Sequence, residues 1–149
     1  MKTIHTNAKH TKWLSADEMH FESKKWLSEL EFCKEEQWFF EDLIRSYTLQ
    51  ILDNNHFEES KRLIDKLTKI VEQTETLINA VKSHEKELSI MVDGIDQIKE
   101  ETAYKKEHRN LTELVEEFRK RYRTTKAKLF NLIKMVMKEG KQNRLLDKK

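Results

Sequence analysis

The sequence contains almost no residues that interrupt an α-helix. Proline is absent from all 149 residues, and the only glycines are Gly94 and Gly140. Because proline and glycine are the strongest helix breakers, long uninterrupted helices are the expected result. Runs of alternating β-branched residues between turn residues, the usual signal of β-strands, do not occur in the sequence. The sequence therefore predicts an all-α protein.

A capping signal marks the start of the first helix. Ser15 is followed three residues later by Glu18, the spacing of a capping box. From Met19 onward, residues spaced alternately by four and three positions predict one buried helix face. The members of this series are Met19, Ser23, Trp26, Leu30, Cys33, Gln37, Phe40, Ile44, Tyr47 and Ile51. We predict a helix over residues 16–53, ending at the turn-favouring residues 53–55.

Two further series with the same spacing follow. The second contains Phe57, Ser60, Ile64, Leu67, Val71, Thr74, Ile78, Val81, Glu85 and Leu88. The third contains Tyr104, His108, Leu111, Val115, Phe118, Tyr122, Thr125, Leu129, Leu132 and Val136. They predict helices over about residues 56–95 and 103–139. The pattern loses its phase in the charged stretch 99–108, so the end of the second helix is left undefined.

These patterns predict a single domain, as the length of 149 residues also suggests. The expected architecture is an antiparallel, up-down-up bundle of three long helices with coiled-coil-like packing. The alternative is a four-helix bundle in which residues 93–107 form a short helix. We expect the bundle to span residues 15–140, with a mobile N-terminal arm at 1–14 and a frayed tail at 141–149.

Charge is distributed unevenly along the chain. The formal net charge is +2, yet residues 119–149 contain 12 Lys and Arg against 2 Asp and Glu, which leaves 17 basic and 25 acidic residues for positions 1–118. The single cysteine, Cys33, suits a reducing compartment. No signal-peptide pattern and no apolar run near the roughly 18 residues of a membrane span occur. We therefore expect a cytoplasmic protein without a membrane partner.

Motifs of common enzymes are missing from the sequence. There is no glycine-rich phosphate-binding loop, no C-x-x-C pair and no H-E-x-x-H sequence. A ferritin-like di-iron site needs Glu-x-x-His on two helices, and none of the six histidines has a glutamate three residues before it. We therefore expect a protein that is not an enzyme and that uses no cofactor.

A group of polar residues is predicted at one end of the bundle. Folding at the expected turns brings His20, Ser23, His84, Glu85 and His108 to one level. Three imidazoles and a carboxylate are a suitable donor set for Zn²⁺ or a similar ion. Bundle ends are also hydrated, so polar side chains cost little there. The sequence therefore favours hydrated polar residues without a bound ligand at this end of the bundle. A metal- or small-ligand-binding bundle is the alternative function.

The basic stretch 119–128 is the candidate for nucleic-acid contact. Lysine and arginine can neutralise phosphates, which gives binding that weakens with salt. The candidate residues are Arg119, Arg121, Arg123 and Lys126. The acidic first helix, however, is an available partner within the same bundle. The sequence therefore favours a basic face that is neutralised within the bundle, and nucleic-acid binding through the third helix is a second alternative.

Three consecutive aromatic residues, Trp38, Phe39 and Phe40, carry the leading functional prediction. Consecutive residues of a helix point about 100° apart, so the three rings have different surroundings. Phe40 lies on the core series, Phe39 shares a flanking column with Phe32, and Trp38 faces the surface. We take Phe32, Trp38 and Phe39 as interaction candidates. The leading prediction is a non-enzymatic bundle that acts through protein–protein contact or self-association, with a homodimer as one possibility.

Several short segments resemble a known group of proteins. They are EMHFE at 18–22, WLSELEF at 26–32, and His56-Phe57 at the start of the second predicted helix. These segments are similar to small helical proteins found in Bacteroidota for which no activity is assigned. The resemblance covers the first helix and the start of the second. It implies a cytoplasmic helical bundle and assigns no site residues.

Overall fold

The computed structural model describes the backbone of residues 15–52, 57–93 and 98–147, and the side chains of residues 15–52, 57–90 and 101–141. The helices are α1 (Ala16–Ser46), α2 (Thr48–Leu52), α3 (Phe57–Asp93) and α4 (Ile98–Asp147). Within these ranges no residue lies in a strand. The prediction of an all-α protein with three long helices is confirmed.

Ser15 and Glu18 form the capping box predicted at the start of α1. The Ser15 Oγ accepts a hydrogen bond from the Glu18 backbone N–H at 3.1 Å, and Glu18 Oε1 accepts one from the Ser15 backbone N–H at 3.4 Å. The Met19 N–H donates to the Ser15 carbonyl at 3.0 Å. These contacts satisfy N–H groups that the start of a helix leaves unpaired.

The first helix is interrupted at Tyr47, although the sequence predicts a continuous helix to residue 53. The Tyr47 backbone N–H is shared between the carbonyls of Leu43 and Ile44, at 3.0 and 3.2 Å. The Thr48 hydroxyl donates to the Ile44 carbonyl at 2.9 Å. A hydroxyl that bonds back to the preceding turn competes with backbone N–H groups and bends a helix. The predicted turn at residues 53–55 lies outside the described residues.

The last helix is longer than predicted at both ends. α4 spans Ile98–Asp147, whereas the sequence pattern indicated residues 103–139. Residues 98–107 belong to α4, which corrects the alternative of a separate short helix over 93–107. The charged residues of this stretch are good helix formers, so the loss of an apolar pattern did not mean the loss of the helix.

Gly140 does not end α4, and residues 141–147 are helical where a frayed tail was expected. A glycine inside a helix costs about 1 kcal/mol relative to alanine, which the neighbouring helix formers can offset. A Cβ atom added at Gly140 would have no atom of another segment within 4 Å. Close packing of a neighbouring segment therefore does not require glycine at this position. The N-terminal arm predicted at 1–14 lies outside the described residues.

The chain divides into two compact units. Unit 1 contains the described residues up to Phe32 together with 74–118, and unit 2 contains 33–73 together with the described residues from Arg119 onward. One core cluster of unit 2 consists of Phe40, Ile51, Leu63, Leu67, Leu129, Leu132, Ile133 and Val136. In unit 1, one core cluster consists of Met19, Leu88 and Tyr104.

Contacts within unit 2 give the directions of its helices. Contacts between α1 and α4 join residues whose numbers rise together, namely Glu36 with Lys126 and Phe40 with Phe130. Contacts between α3 and α4 join residues whose numbers change in opposite directions, namely Gln73 with Arg121, and Leu63 and Leu67 with the cluster at 129–136. These helices therefore run up, down and up, as predicted. In the described part of the chain, no helix is both long and apolar enough to cross a membrane.

Candidate functional site

Two histidines lie fully buried in unit 1 and contact each other. His84 comes from α3 and His108 from α4, and the side chain of each has no exposed surface. The Nε2 atom of His84 lies 2.9 Å from the Nδ1 atom of His108. Both residues belong to the apolar columns of their helices, which explains why their rings point inward. A buried imidazole requires hydrogen-bond partners, and these two use each other first.

A carboxylate stands at each end of the histidine pair. His84 Nδ1 lies 2.8 Å from Glu107 Oε1, and His108 Nε2 lies 2.7 Å from Glu22 Oε1. The side chains of Glu107 and Glu22 are 44% and 32% exposed, so both carboxylates reach water. We call the four residues, in the order Glu107, His84, His108 and Glu22, the His–Glu network. It extends from one exposed carboxylate of unit 1, through two buried rings, to another.

Aromatic rings hold the two imidazoles in place. Tyr104 stacks on His84 with ring centroids 4.0 Å apart and planes 6° apart. Trp26 stacks on His108 with centroids 4.7 Å apart and planes 28° apart. Stacking restricts the rotation of each imidazole about its side-chain bonds. The ring nitrogens are therefore directed along the His–Glu network.

The number of protons in the network can be counted from its three contacts. Each contact joins two atoms that carry lone pairs, so each needs one proton between them. Two neutral imidazoles supply two N–H groups, and two carboxylates supply none. The third contact needs either one more proton or a cation. The His–Glu network is thus short of one positive charge when both histidines are neutral.

The environment keeps His84 neutral near pH 7. Burial, and to a lesser extent the charge of His108, lowers the pKa of His84 from 6.5 to about 4, while Glu87 acts in the opposite direction. A neutral imidazole has one N–H and one nitrogen lone pair. His84 can therefore donate in only one of its two contacts, and it offers a lone pair to the other.

A second carboxylate lies beside the exposed end of the network. One ligand atom each from His84, Glu107 and Glu87 all lie within 4.8 Å of one another. Glu87 is three residues after His84 on α3, a spacing that places both side chains on one side of the helix. An imidazole nitrogen with two carboxylates is a donor set that binds divalent transition metals.

Two buried oxygen atoms near this group have no hydrogen-bond partner among the described residues. They are Tyr104 Oη and Glu85 Oε1. Burial raises the pKa of the Tyr104 hydroxyl, and so do the charges of Glu85, Glu107 and Glu87. The hydroxyl therefore lies in the field of the same carboxylates.

The structure separates the predicted histidine layer into two pairs. His84 contacts His108, whereas His20 Nδ1 is paired with Glu85 Oε2 at 2.7 Å. The predicted metal donor set of His20, His84, Glu85 and His108 therefore differs from the group that the geometry assembles, in which only His84 is retained. Ser23, the remaining residue of the predicted layer, is buried. Its hydroxyl donates a hydrogen bond to the Met19 carbonyl at 2.8 Å.

Sequence reasoning missed Glu22, Glu87, Tyr104 and Glu107 as members of this site. The available signal for Glu107 was its position directly before His108, and for Glu87 its place three residues after His84. Glutamate side chains are long, so a glutamate beside a buried face can still reach a group on that face.

The predicted nucleic-acid residues have unequal surroundings. Lys126 is paired with Glu36 at 3.1 Å, which is the neutralisation by the acidic first helix that the sequence suggested. Arg121 Nη2 donates to Gln73 Oε1 at 3.2 Å. Arg123 is exposed, and Arg119 is half-buried. Arg121 therefore contacts α3, whereas Lys126 contacts α1.

The predicted interaction residues are exposed. Phe32, Trp38 and Phe39 are 60%, 57% and 56% exposed. The Lys34 ammonium lies 5.8 Å from the centroid of the Trp38 ring. Phe39 is more exposed than a residue that packs on a neighbouring helix, while the adjacent Phe40 is fully buried. The three rings of residues 38–40 thus have one buried and two exposed members.

Comparison of the chain with known protein families, with curated proteins and with solved structures finds no match in any of the three.

Proposed function

We propose that this protein is a metal-binding helical bundle and that unit 1 binds one divalent transition-metal ion through His84, Glu107 and Glu87. One observation carries the proposal. His84 Nδ1 and Glu107 Oε1 lie 2.8 Å apart at the exposed end of a network that lacks one positive charge. A divalent cation placed between these two atoms supplies that charge.

The ligand distances require only a small adjustment. Two ligand atoms that are each about 2.1 Å from one ion lie at most about 4.2 Å apart, and about 3.4 Å apart in a tetrahedral site. The three candidate atoms lie within 4.8 Å of one another. The partly exposed Glu107 and the exposed Glu87 can move to accommodate the ion, whereas the buried His84 ring stays fixed. The remaining coordination positions face water.

The rest of the network suits a metal-bound His84. With the ion on Nδ1, the Nε2–H of His84 donates to His108 Nδ1, and the Nε2–H of His108 donates to Glu22. A hydrogen bond from the second ring nitrogen to an acceptor is the usual support of a metal-bound histidine. All three contacts are then satisfied by two N–H groups and one ion, without an extra proton.

Zn²⁺ added to metal-free protein is expected to bind at one ion per chain. At about 100 times the Kd, binding contributes about 2.7 kcal/mol, which raises the melting temperature of a protein of this size by about 5–10 °C. Replacing the fixed ligand, His84→Gln, should weaken binding at least a hundredfold, and Glu107→Gln at least tenfold. Isothermal titration calorimetry and thermal melting, on protein purified without a histidine tag, measure both effects.

The matched control is His20→Gln. His20 is a partly exposed histidine of the same unit that pairs with Glu85 and lies outside the ligand group. It should leave the stoichiometry and the affinity unchanged. Zn²⁺ binding that is lost equally in His20→Gln and His84→Gln, or that is absent from the wild-type protein, would overturn the proposal.

We propose protein–protein contact as a second function, through the exposed aromatic rings of α1. More than half of the surface of Phe32, Trp38 and Phe39 is exposed, and large aromatic residues are enriched among the residues that dominate binding energy at interfaces. The partner in this contact is a second copy of the same chain, which gives a homodimer. The lone Cys33 supports a cytoplasmic location for both functions.

The double variant Trp38→Ala/Phe39→Ala is expected to weaken self-association at least tenfold without changing the helical content. Truncating a central interface aromatic commonly costs 2 kcal/mol or more, which is about a thirtyfold change in Kd. Sedimentation velocity over a range of protein concentrations measures this. Leu114→Ala, at an exposed apolar residue of α4, is the control. A wild-type protein that is monomeric at all concentrations would contradict self-association.

A further inference from the structure

Unit 2 contains a groove whose charged lining is entirely basic. It lies between α3 and α4, has a volume of about 440 Å³, and is open to solvent. Its lining residues are Lys66, Lys69, Ile70, Gln73, Lys120, Arg121, Thr124 and Thr125. Four of these eight residues carry positive charge and none carries negative charge. We call this feature the basic groove.

The floor and the rim of the basic groove differ in chemistry. Ile70 and Thr125 are buried and form the floor, whereas the other six lining residues are exposed. Arg121 is held across the groove by its hydrogen bond to Gln73 at 3.2 Å. The rim therefore consists of ammonium, guanidinium, amide and hydroxyl groups, all of which can donate hydrogen bonds to an anion.

Three lysines of the rim are not neutralised within the described structure. Lys66, Lys69 and Lys120 have no carboxylate partner among the described residues. Lys126 of the same helix, by contrast, is paired with Glu36 at 3.1 Å. The surrounding sequence adds to the positive field, since residues 119–149 contain 12 basic and 2 acidic residues. The three lysines of the basic groove are thus available to an external anion.

The shape of the groove decides which anion it fits. An open groove without a deeply buried charge does not enclose a small phosphorylated molecule, as ligand pockets do. The positive charges come from both helices, two from α3 and two from α4, and therefore lie on both sides of the open groove, which suits an extended polyanion. No aromatic ring lines the groove, so it offers no surface on which bases could stack.

We propose that the basic groove binds the phosphate backbone of a nucleic acid without reading its base sequence. This goes beyond metal binding in unit 1 and is independent of it. Of the four residues that the sequence predicted for such contact, only Arg121 lines the groove. The other basic residues of its lining are Lys66 and Lys69 of α3 and Lys120 of α4.

Fluorescence anisotropy with a labelled, mixed-sequence single-stranded DNA oligonucleotide tests the proposal on the full chain in the presence of a chelator. We expect a Kd of about 1–100 µM at low salt, and a slope of log K against log salt concentration of about −2 to −3 for three or four phosphate contacts. The triple variant Lys66→Gln/Lys69→Gln/Lys120→Gln should lose at least tenfold in affinity and most of its salt dependence. The corresponding Lys→Arg triple should keep the affinity.

The matched control removes the same charge from exposed positions of unit 1, through Lys24→Gln/Lys82→Gln/Lys106→Gln. Measured at about 0.15 M salt, it should bind DNA within about twofold of the wild type, because charges more than about 8 Å from the groove are largely screened under these conditions. Equal losses in the two triple variants would overturn the proposal, and so would the absence of DNA binding at low salt. Anionic phospholipid vesicles that bind with the same dependence on these lysines, when DNA does not, would overturn it in favour of a membrane surface.

Discussion

Phe40→Ala is expected to lower the free energy of unfolding by about 3–5 kcal/mol, which is the usual cost of removing a fully buried aromatic ring. The Phe40 side chain is 1% exposed and packs edge to face on Phe130, with ring centroids 4.9 Å apart. It belongs to the core cluster of unit 2 that contains Ile51, Leu63 and Leu129. Alanine would leave a cavity that neighbours on three helices cannot fill by small movements. Urea denaturation followed by circular dichroism measures the change.

The neighbouring residue provides the control for this prediction. Phe39→Ala removes the same atoms one position earlier on α1, from a ring that is 56% exposed. Its cost should stay below about 1 kcal/mol, since substitutions at exposed positions have small effects. If the two variants were equally destabilised, the assignment of Phe40 to the core and Phe39 to the surface would be wrong.

Acid is expected to destabilise the metal-free protein through His84. Burial lowers the pKa of His84 from 6.5 to about 4, so the folded protein binds fewer protons than the unfolded chain between these pH values. Stability therefore increases with pH in this window and is lost as the pH falls. The full effect is roughly 3 kcal/mol, of which about 2 kcal/mol falls between pH 6.5 and 5, above the ordinary pKa range of carboxylates.

The hydrogen bonds of the His–Glu network give the structural reason for this acid sensitivity. If both His84 and His108 were doubly protonated, two N–H groups would face each other across the 2.9 Å contact. The charges around His84 act in both directions, because His108 opposes a proton on it whereas Glu87 favours one. Desolvation is the largest of these effects, so the balance favours the neutral ring.

Denaturation curves recorded with a chelator between pH 5 and 7 test the prediction. His84→Gln should remove most of the slope of stability against pH, since glutamine does not titrate. His20→Gln is the control, because the His20 side chain is 48% exposed. A slope that is unchanged in His84→Gln, or that is removed equally by His20→Gln, would contradict the assignment to the buried ring.

The helices and most of the core could be predicted from periodicity. The α1 series from Met19 to Phe40 is buried apart from the half-buried Cys33, and His84 and His108 lie inside because they occupy apolar columns. A repeat of apolar residues reports which side of a helix is buried, and this does not depend on knowing the neighbouring helix. That is why the inward position of the two histidines was accessible from the sequence.

The contacts of the candidate site were less predictable. Whether Glu22 or His20 reaches His108 depends on the rotation of α1 and on side-chain conformations, which a period does not specify. The basic groove could not be predicted for the same reason. Lys66 and Lys69 line one groove with Lys120 because α3 packs against α4, and the sequence pattern does not specify which residues of the two helices meet. The end of α4 was misjudged because a single glycine, Gly140, is a weak stop signal without a following proline.

The His–Glu network also fixes how the helices of unit 1 can slide along their axes. Its members come from α1, α3 and α4 and meet at one level. Apolar residues repeated every three or four positions tolerate a helix displaced by one turn, about 5.4 Å, because similar side chains meet again. The same displacement would leave buried imidazole nitrogens without partners, at about 1–3 kcal/mol for each. The His–Glu network therefore excludes arrangements in which one helix is displaced by a turn, which the apolar faces alone would allow.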